Sequence, residues 1–357
     1  MGSFHWLHFS DLHLTPKISF KPYYARSQLL KFLDRETTAG RLPCDYIFIT
    51  GDIANQGNYD GVPRFIEQLF KSLEWSDYKR VFWAVGNHDI SRTSLLRKLV
   101  IKRIREGEYD SELFENLMFD PEIREVLIQK VMKEYHRWHK EILTEATKGN
   151  FSDPHNKYLL PDLNLVVLNT CLTSCDDSDE HNLCIQDCSL HEVFEGLDRS
   201  KPTFVMGHHG MEFFKHSERR AMAHLFDSSS VDLYLCGHSH ALGHSEFPEV
   251  CREIHQITCG GITTANCYNP TFIHGHYDSA THSIQITPYS YATAGNQDWQ
   301  FNPGIHRKFN GAMKLKLTGE LTQPSPIKAP VNLDLSSATG STPIYRKQLE
   351  WSAGFFQ

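Results

Sequence analysis

No stretch of this 357-residue chain approaches the ~18 uninterrupted apolar residues that a helix needs to cross a bilayer. Nor does the opening Met1-Gly2-Ser3-Phe4-His5-Trp6 carry a basic region followed by an apolar run, so the sequence reads as neither secreted nor membrane-spanning. Cysteine provides no framework. The nine cysteines, Cys44, Cys171, Cys175, Cys184, Cys188, Cys236, Cys251, Cys259 and Cys267, are odd in number, and Cys175, Cys184 and Cys188 are too irregularly spaced for a zinc site. Reduced thiols in the cytoplasm are the expectation. A net positive charge is missing too: a formal net charge of −7 argues weakly against a protein that coats nucleic acid over its whole surface, while leaving room for a local basic patch. There is no internal repeat.

What is present is the composition of a soluble globular protein, 40% apolar and 12% aromatic, with strand-like runs that alternate with helical ones. Residues 4–9 alternate and lead to Ser10-Asp11, and residues 45–50 are almost wholly apolar, as in a strand covered on both faces. Between them, residues 25–33 place Leu29, Leu30 and Leu33 on one side of a predicted helix. Residues 61–75 repeat the helical spacing with Phe65, Leu69 and Leu73, and residues 80–85 form the next strand. Strands alternating with helices predict an α/β architecture. Residues 91–148 are rich in helix formers and carry no motif, which predicts a helical insertion. Strands resume at 165–168, 203–206 and 231–236, and short β-prone runs at 254–258, 271–274 and 282–286 are expected to close a second sheet. From about residue 318 the composition shifts to Pro, Ser, Thr and Gly, predicting a linker or tail.

Five ordered motifs carry the chemistry: Asp11-Leu12-His13, Gly51-Asp52, Gly86-Asn87-His88-Asp89, Gly207-His208-His209-Gly210 and Gly237-His238-Ser239-His240. Nearly every one follows a predicted strand. Mixed carboxylate, amide and imidazole donors at strand ends suit divalent transition ions, held rigidly from several segments. A single Asp or His among 21 histidines would be an ordinary polar group; the ordered set is what makes a metal site.

These motifs resemble the calcineurin-like metallophosphoesterase superfamily, whose pattern is Asp-x-His, Gly-Asp, Gly-Asn-His-Asp/Glu, a lone His and then Gly-His-x-His. The resemblance covers the motif positions from Asp11 to His240. It implies a four-layer αββα sandwich with a helical cap insertion at 91–148, a catalytic domain over residues 1–317, and a tail over 318–357. It also implies two divalent metal ions, Mn, Fe or Zn, with Asp11, His13 and His240 as ligands of the first, Asn87, His208 and His238 as ligands of the second, and Asp52 as the bridge. At the fourth motif His209 stands as the alternative to His208. His88 corresponds to a general acid that protonates the leaving oxygen, with Asp89 placed to orient it.

The activity so implied is phosphoester hydrolysis by a metal-bound hydroxide, with nucleotide or nucleic-acid phosphodiesters as substrates. Phosphoprotein substrates fit least, because Gly51-Asp52-Ile53-Ala54-Asn55 lacks the Asp-Arg-Gly continuation of the phosphoprotein phosphatases. The alternative is an effector module of a larger bacterial signalling or defence assembly, joined through its tail and acting as a nuclease when assembled. A basic segment at 91–105 holds six cations and no acid. A helix there, burying Leu96, Val100 and Ile104, would turn Arg97, Lys98, Lys102 and Arg105 to water or to a phosphate-bearing substrate. Arg92, four residues after His88, is the nearest candidate for substrate binding.

Overall fold

The computed structural model describes residues 2–15, 20–75, 80–91, 94–106, 118–142, 154–175, 179–185, 188–247, 253–262, 269–292, 297–301 and 313–317. All of them belong to one compact unit, residues 1–323. The expected tail from 318 and the candidate Arg92 lie outside the described residues.

Period-two side-chain parity explains how the layers form. Strands β1 (Phe4–Phe9), β2 (Tyr46–Thr50) and β3 (Val81–Ala84) run parallel. Their Phe4, Trp6, Tyr46, Phe48 and Phe82 enter one core, while Leu7, Phe9, Ile47, Ile49, Val81 and Trp83 enter another. The second of these cores is shared with α1 (Phe20–Thr38) and α2 (Val62–Ser72) through Leu29, Leu33, Phe65 and Leu69. The first is shared with a second sheet. There β5 (Asn164–Val167), β6 (Thr203–Met206) and β7 (Val231–Cys236), preceded by β4 (Asn156–Leu159), contribute Leu165, Val167, Phe204, Met206, Leu233 and Leu235. Trp6 and Phe204 cross the sheet interface edge to face, with ring centroids 5.3 Å apart. Val166, Val205, Tyr234 and Cys236 point outward, onto Leu190 of α6 (Cys188–Glu192) and Met222 and Phe226 of α7 (His216–Ser228). Helix, sheet, sheet, helix is the four-layer order expected.

The chain after residue 240 departs from expectation. Instead of closing one second sheet, its strands divide between the two. β8 (Gly243–Glu246) and β9 (His255–Thr258) extend the second sheet, giving the order β4-β5-β6-β7-β9-β8. β10 (Thr271–Asp278), β11 (Ser283–Tyr291), β12 (Trp299–Phe301) and β13 (Met313–Lys316) cover the otherwise bare edge of β1, giving β12-β11-β10-β1-β2-β3 with β13 on β11. β10 buries Phe272 toward the helices and Ile273 and Tyr277 toward the sheet interface, so its parity matches that of β1. Strand propensity predicted these runs but could not choose their neighbour.

The insertion is helical where it is described: α3 (Leu95–Glu106), α4 (Pro121–Arg124) running into a π-helical turn at Glu125–Gln129, and α5 (Lys133–Ile142). Asp120 caps α4 by accepting hydrogen bonds from the backbone N–H of Glu122 and Ile123, with Pro121 at the first helical position. The basic helix corrects the expectation most sharply. Val100, Ile101 and Ile104 are buried as a stripe, but Leu96 is 38% exposed and Arg97 only 1%. The Arg97 guanidinium donates to the carbonyls of Cys171, Leu172 and Ser174. Arg105 donates to the Thr173 carbonyl and pairs with Asp179. Two of the six cations therefore hold the loop after β5 instead of facing a substrate.

Candidate metal centre

Six parallel strands, β1, β2 and β3 in one sheet and β5, β6 and β7 in the other, end on the same side of the sandwich. In open parallel sheets, sites form in the crevice beyond the carboxyl ends of the strands. Asp11 and His13 follow β1, Asp52 follows β2, Asn87 and His88 follow β3, His208 follows β6, and His238 and His240 follow β7. All the expected ligands meet there.

Their backbones are unusual. Asp11 (φ 52°), His13 (φ 41°), Asp52 (φ 52°), His238 (φ 67°) and His240 (φ 56°) all occupy the left-handed region, which is uncommon for residues with a Cβ. Such conformations cost about 1–3 kcal/mol each and persist where the surroundings over-determine them. Here the determinants are visible. Asp11 N–H donates to the Gly51 carbonyl at 3.1 Å and His13 N–H to the Asp52 carbonyl at 2.8 Å, so the first two motif loops lie side by side. Asp11 Oδ2 accepts from the His238 N–H at 3.0 Å, joining the two sheets. Gly237 allows that approach, since a Cβ on it would sit 1.7 Å from Ser10 Oγ.

Asp52 occupies the middle of the cluster. Its Oδ2 lies 3.7 Å from His13 Nε2 and 3.4 Å from His208 Nε2, and its Oδ1 accepts from the His88 N–H at 2.7 Å. On one side Asp11 Oδ1 is 3.8 Å from His13 Nε2 and 3.5 Å from His240 Nε2, and the rings of His13 and His240 stack with centroids 5.2 Å apart. On the other side His208 Nε2 faces Asn87 Oδ1 at 3.1 Å and His238 Nδ1 at 3.2 Å. His208 Nδ1 lies 2.8 Å from the Thr50 carbonyl, which can only accept, so that nitrogen carries the proton. A neutral His208 would then aim a lone pair at an amide oxygen and a carboxylate, three acceptors converging without a donor. A cation between them resolves the conflict, and this is the test that divalent metal passes on these residues. The same crowding acts on protons: burial opposes charging His208, yet the Asp52 carboxylate pushes its pKa up to about 9. Burial with the nearby His208 lowers His238 to about 4, keeping its ring neutral as a ligand must be.

Of the two fourth-motif histidines, His208 lies against the Asp52 carboxylate. His209 turns its Nδ1 to Thr170 Oγ1 at 3.0 Å, although its ring remains 4.4 Å from that of His238. The half-buried His88 meets His13 edge to face, with centroids 4.8 Å apart. Asp89 also joins two of the motif loops. Its carboxylate accepts from the backbone N–H of Ala54 and of Gly86, both at 2.8 Å, and so ties the second motif loop to the third. Burial, reinforced by Asp52, raises its pKa to about 7.

Thr170 escaped the sequence reading. Its hydroxyl oxygen accepts from the backbone N–H of both His208 (3.2 Å) and His209 (3.1 Å), fixing the fourth loop. A signal was available, because Thr170 sits just past β5, a parallel strand end to which no motif had been assigned.

Among the described residues no helix is long and apolar enough to cross a membrane. Cys44, Cys171, Cys184, Cys236 and Cys259 are unbridged.

Comparison with known proteins gives three findings. The family model for calcineurin-like phosphoesterases matches residues 4–242. A metallophosphoesterase-like protein of uncharacterised function from Bacillus subtilis (strain 168), YydB, is 26% identical over 325 residues, covering 87% of this chain. The chain spans 64% of that relative's length. Among solved structures, the purple acid phosphatase PPD1 from yellow lupin seeds superposes with a TM-score of 0.54 at 10% identity, over 92% of this chain and 57% of the other, a likeness of fold alone.

Proposed function

From the premise that the chain belongs to the calcineurin-like phosphoesterase family, whose members are metal-dependent hydrolases, we propose that it is a dinuclear phosphodiesterase of the cytoplasm acting on nucleotide or nucleic-acid diesters. The observation that carries this reading is the position of Asp52, one carboxylate oxygen of which lies between His13 at 3.7 Å and His208 at 3.4 Å. That oxygen divides the donors into two groups, Asp11 with His13 and His240, and Asn87 with His208 and His238. Each group suits one divalent ion, Mn, Fe or Zn.

A bound metal pair would supply Lewis-acid polarisation of the phosphoryl group and a water acidic enough to attack at neutral pH. The chain's own residues do the rest. The His88 N–H donates to Asp52 Oδ1 and so restrains the carboxylate that would join the two sides. The proton on His208 Nδ1, directed at the Thr50 carbonyl, fixes the tautomer that leaves Nε2 for ligation. His88, half-buried beside His13, is the residue proposed to give a proton to the departing oxygen, a role in general acid catalysis that its place beside the donor cluster supports.

The test is hydrolysis of bis-p-nitrophenyl phosphate, p-nitrophenyl phosphate, cyclic nucleotides and labelled single- and double-stranded DNA with added Mn, comparing wild type with Asp52→Ala. Diester cleavage lost in the variant is expected. Cleavage of the monoester alone would sink the phosphodiesterase reading.

A second reading keeps the same site but makes the chain an effector module that cleaves only when assembled. Apolar surface on the insertion favours it: Leu95 is 72% exposed, Leu99 52% and Phe119 63%. On α3, Leu95 and Leu99 lie one turn apart on the helix, and exposed apolar side chains there suit a protein contact better than water. Light scattering with and without candidate nucleic acid separates an assembling module from a monomeric enzyme.

A further inference from the structure

A second group of metal-type donors stands on the edge strand of the second sheet, on β8 and its neighbour. β8 and β9 pair antiparallel, with Glu246 opposite His255 and His244 opposite Ile257. Side chains two residues apart on a strand share a face, so His244 and Glu246 project together, and His255 joins them from directly across the ladder. His244 Nε2 lies 3.3 Å from His255 Nδ1, and His255 Nδ1 lies 4.0 Å from Glu246 Oε1. The three donor atoms fall within 4.8 Å of one another. Two imidazole nitrogens bound to one tetrahedral ion at about 2.0–2.1 Å each must stand roughly 3.3–3.4 Å apart. The observed separation of 3.3 Å is that spacing.

We propose that His244, Glu246 and His255 form a binding site for a divalent ion of the zinc type, separate from the phosphoesterase centre. Two imidazoles and a carboxylate are a borderline donor set, which favours zinc over calcium or magnesium. His255 has a buried side chain, 3% exposed, whereas Glu246 is 55% exposed, so the site is anchored at one side and open to solvent at the other. Burial lowers the His255 pKa, which keeps its ring neutral, as a metal ligand must be. Glu253 acts electrostatically on the same ring, favouring positive charge there. The ion would clip the last strand of the sheet to the one before it, where edge backbone groups are otherwise the easiest to lose. The site does not depend on the proposed phosphodiesterase activity.

The experiment is metal stoichiometry on the full chain, stripped with chelator and titrated with Zn²⁺, and with Co²⁺ as a visible reporter of tetrahedral geometry. An Asp11→Asn/Asp52→Ala variant, which cripples the main centre, should keep one tight equivalent with a tetrahedral Co²⁺ spectrum. His244→Ala and Glu246→Gln, each in an otherwise unaltered chain, should lose one equivalent while retaining wild-type hydrolysis of bis-p-nitrophenyl phosphate and an unchanged circular dichroism spectrum. Should the double variant fail to fold, the difference of one equivalent between wild type and His244→Ala decides alone. Equal stoichiometry in wild type, His244→Ala and His255→Ala would overturn the site.

Discussion

The motif loops and the basic helix α3 both stand out in the sequence as concentrations of functional side chains, and the fold treats them oppositely. At the motif loops, polar groups from five segments converge until acceptors face acceptors, and five candidate ligands hold left-handed backbones. On α3 two of the conspicuous cations are satisfied within the protein, since Arg97 reaches three loop carbonyls and Arg105 pairs with Asp179. Unresolved electrostatic demand marks the first region as a place for a ligand. Satisfied demand marks much of the second as structure. A run of charge says little until one knows which way each residue faces.

Substitutions can break this contrast, and the largest effect after loss of Asp52 should come from His88. His88→Ala is expected to reduce diester turnover by about 10²–10⁴-fold, the usual worth of a positioned acid. A leaving group that needs no proton should recover much of the loss, so rates on p-nitrophenyl and alkyl esters should diverge. Thr170→Val removes the hydroxyl beneath two backbone N–H groups of the fourth loop. By analogy with groups that support metal ligands, it should cost about 10–100-fold in metal affinity or activity. Titration of the stripped protein with Mn would measure this, and an unchanged affinity would mean the loop holds without it.

On the helix the readout should change from activity to stability. Arg97→Met leaves buried carbonyls without their donor and should destabilise the fold by about 2–3 kcal/mol, measured from the urea midpoint. If cleavage of DNA fell while the midpoint held, α3 would have to be returned to the substrate. The smallest effect belongs to the exposed Lys98. Lys98→Glu should alter stability by less than about 0.5 kcal/mol. Any change it makes in DNA cleavage should fade as salt rises.

Most of the architecture was legible because its signals are local. The apolar run Tyr46, Ile47, Phe48 and Ile49 announces a strand covered on both faces, and the spacing of Phe65, Leu69 and Leu73 announces a helix that covers it. The division of the final strands between two sheets was not legible, since β10 could pair with any edge of matching parity. Helix α7 was also missed, because the buried stripe of Met222, Ala223 and Phe226 is narrow within a polar segment. At the site, the ordered motifs named every residue that converges. Thr170 and the backbone contacts of Asp89 were hidden because they act on amides, which leave no side-chain pattern.

The sequence by itself determined most element types and the layer-forming parity, which follow from short-range periodicity, and its ordered motifs, through their family resemblance, named the candidate donors. Only the tertiary structure decided that Asp52 sits between His13 and His208, that Arg97 points inward, and that His244 and His255 face each other at the edge of a sheet. Those facts depend on strand neighbours and side-chain directions across tens to hundreds of residues of chain. Packing fixes such relations, and spacing along the sequence does not.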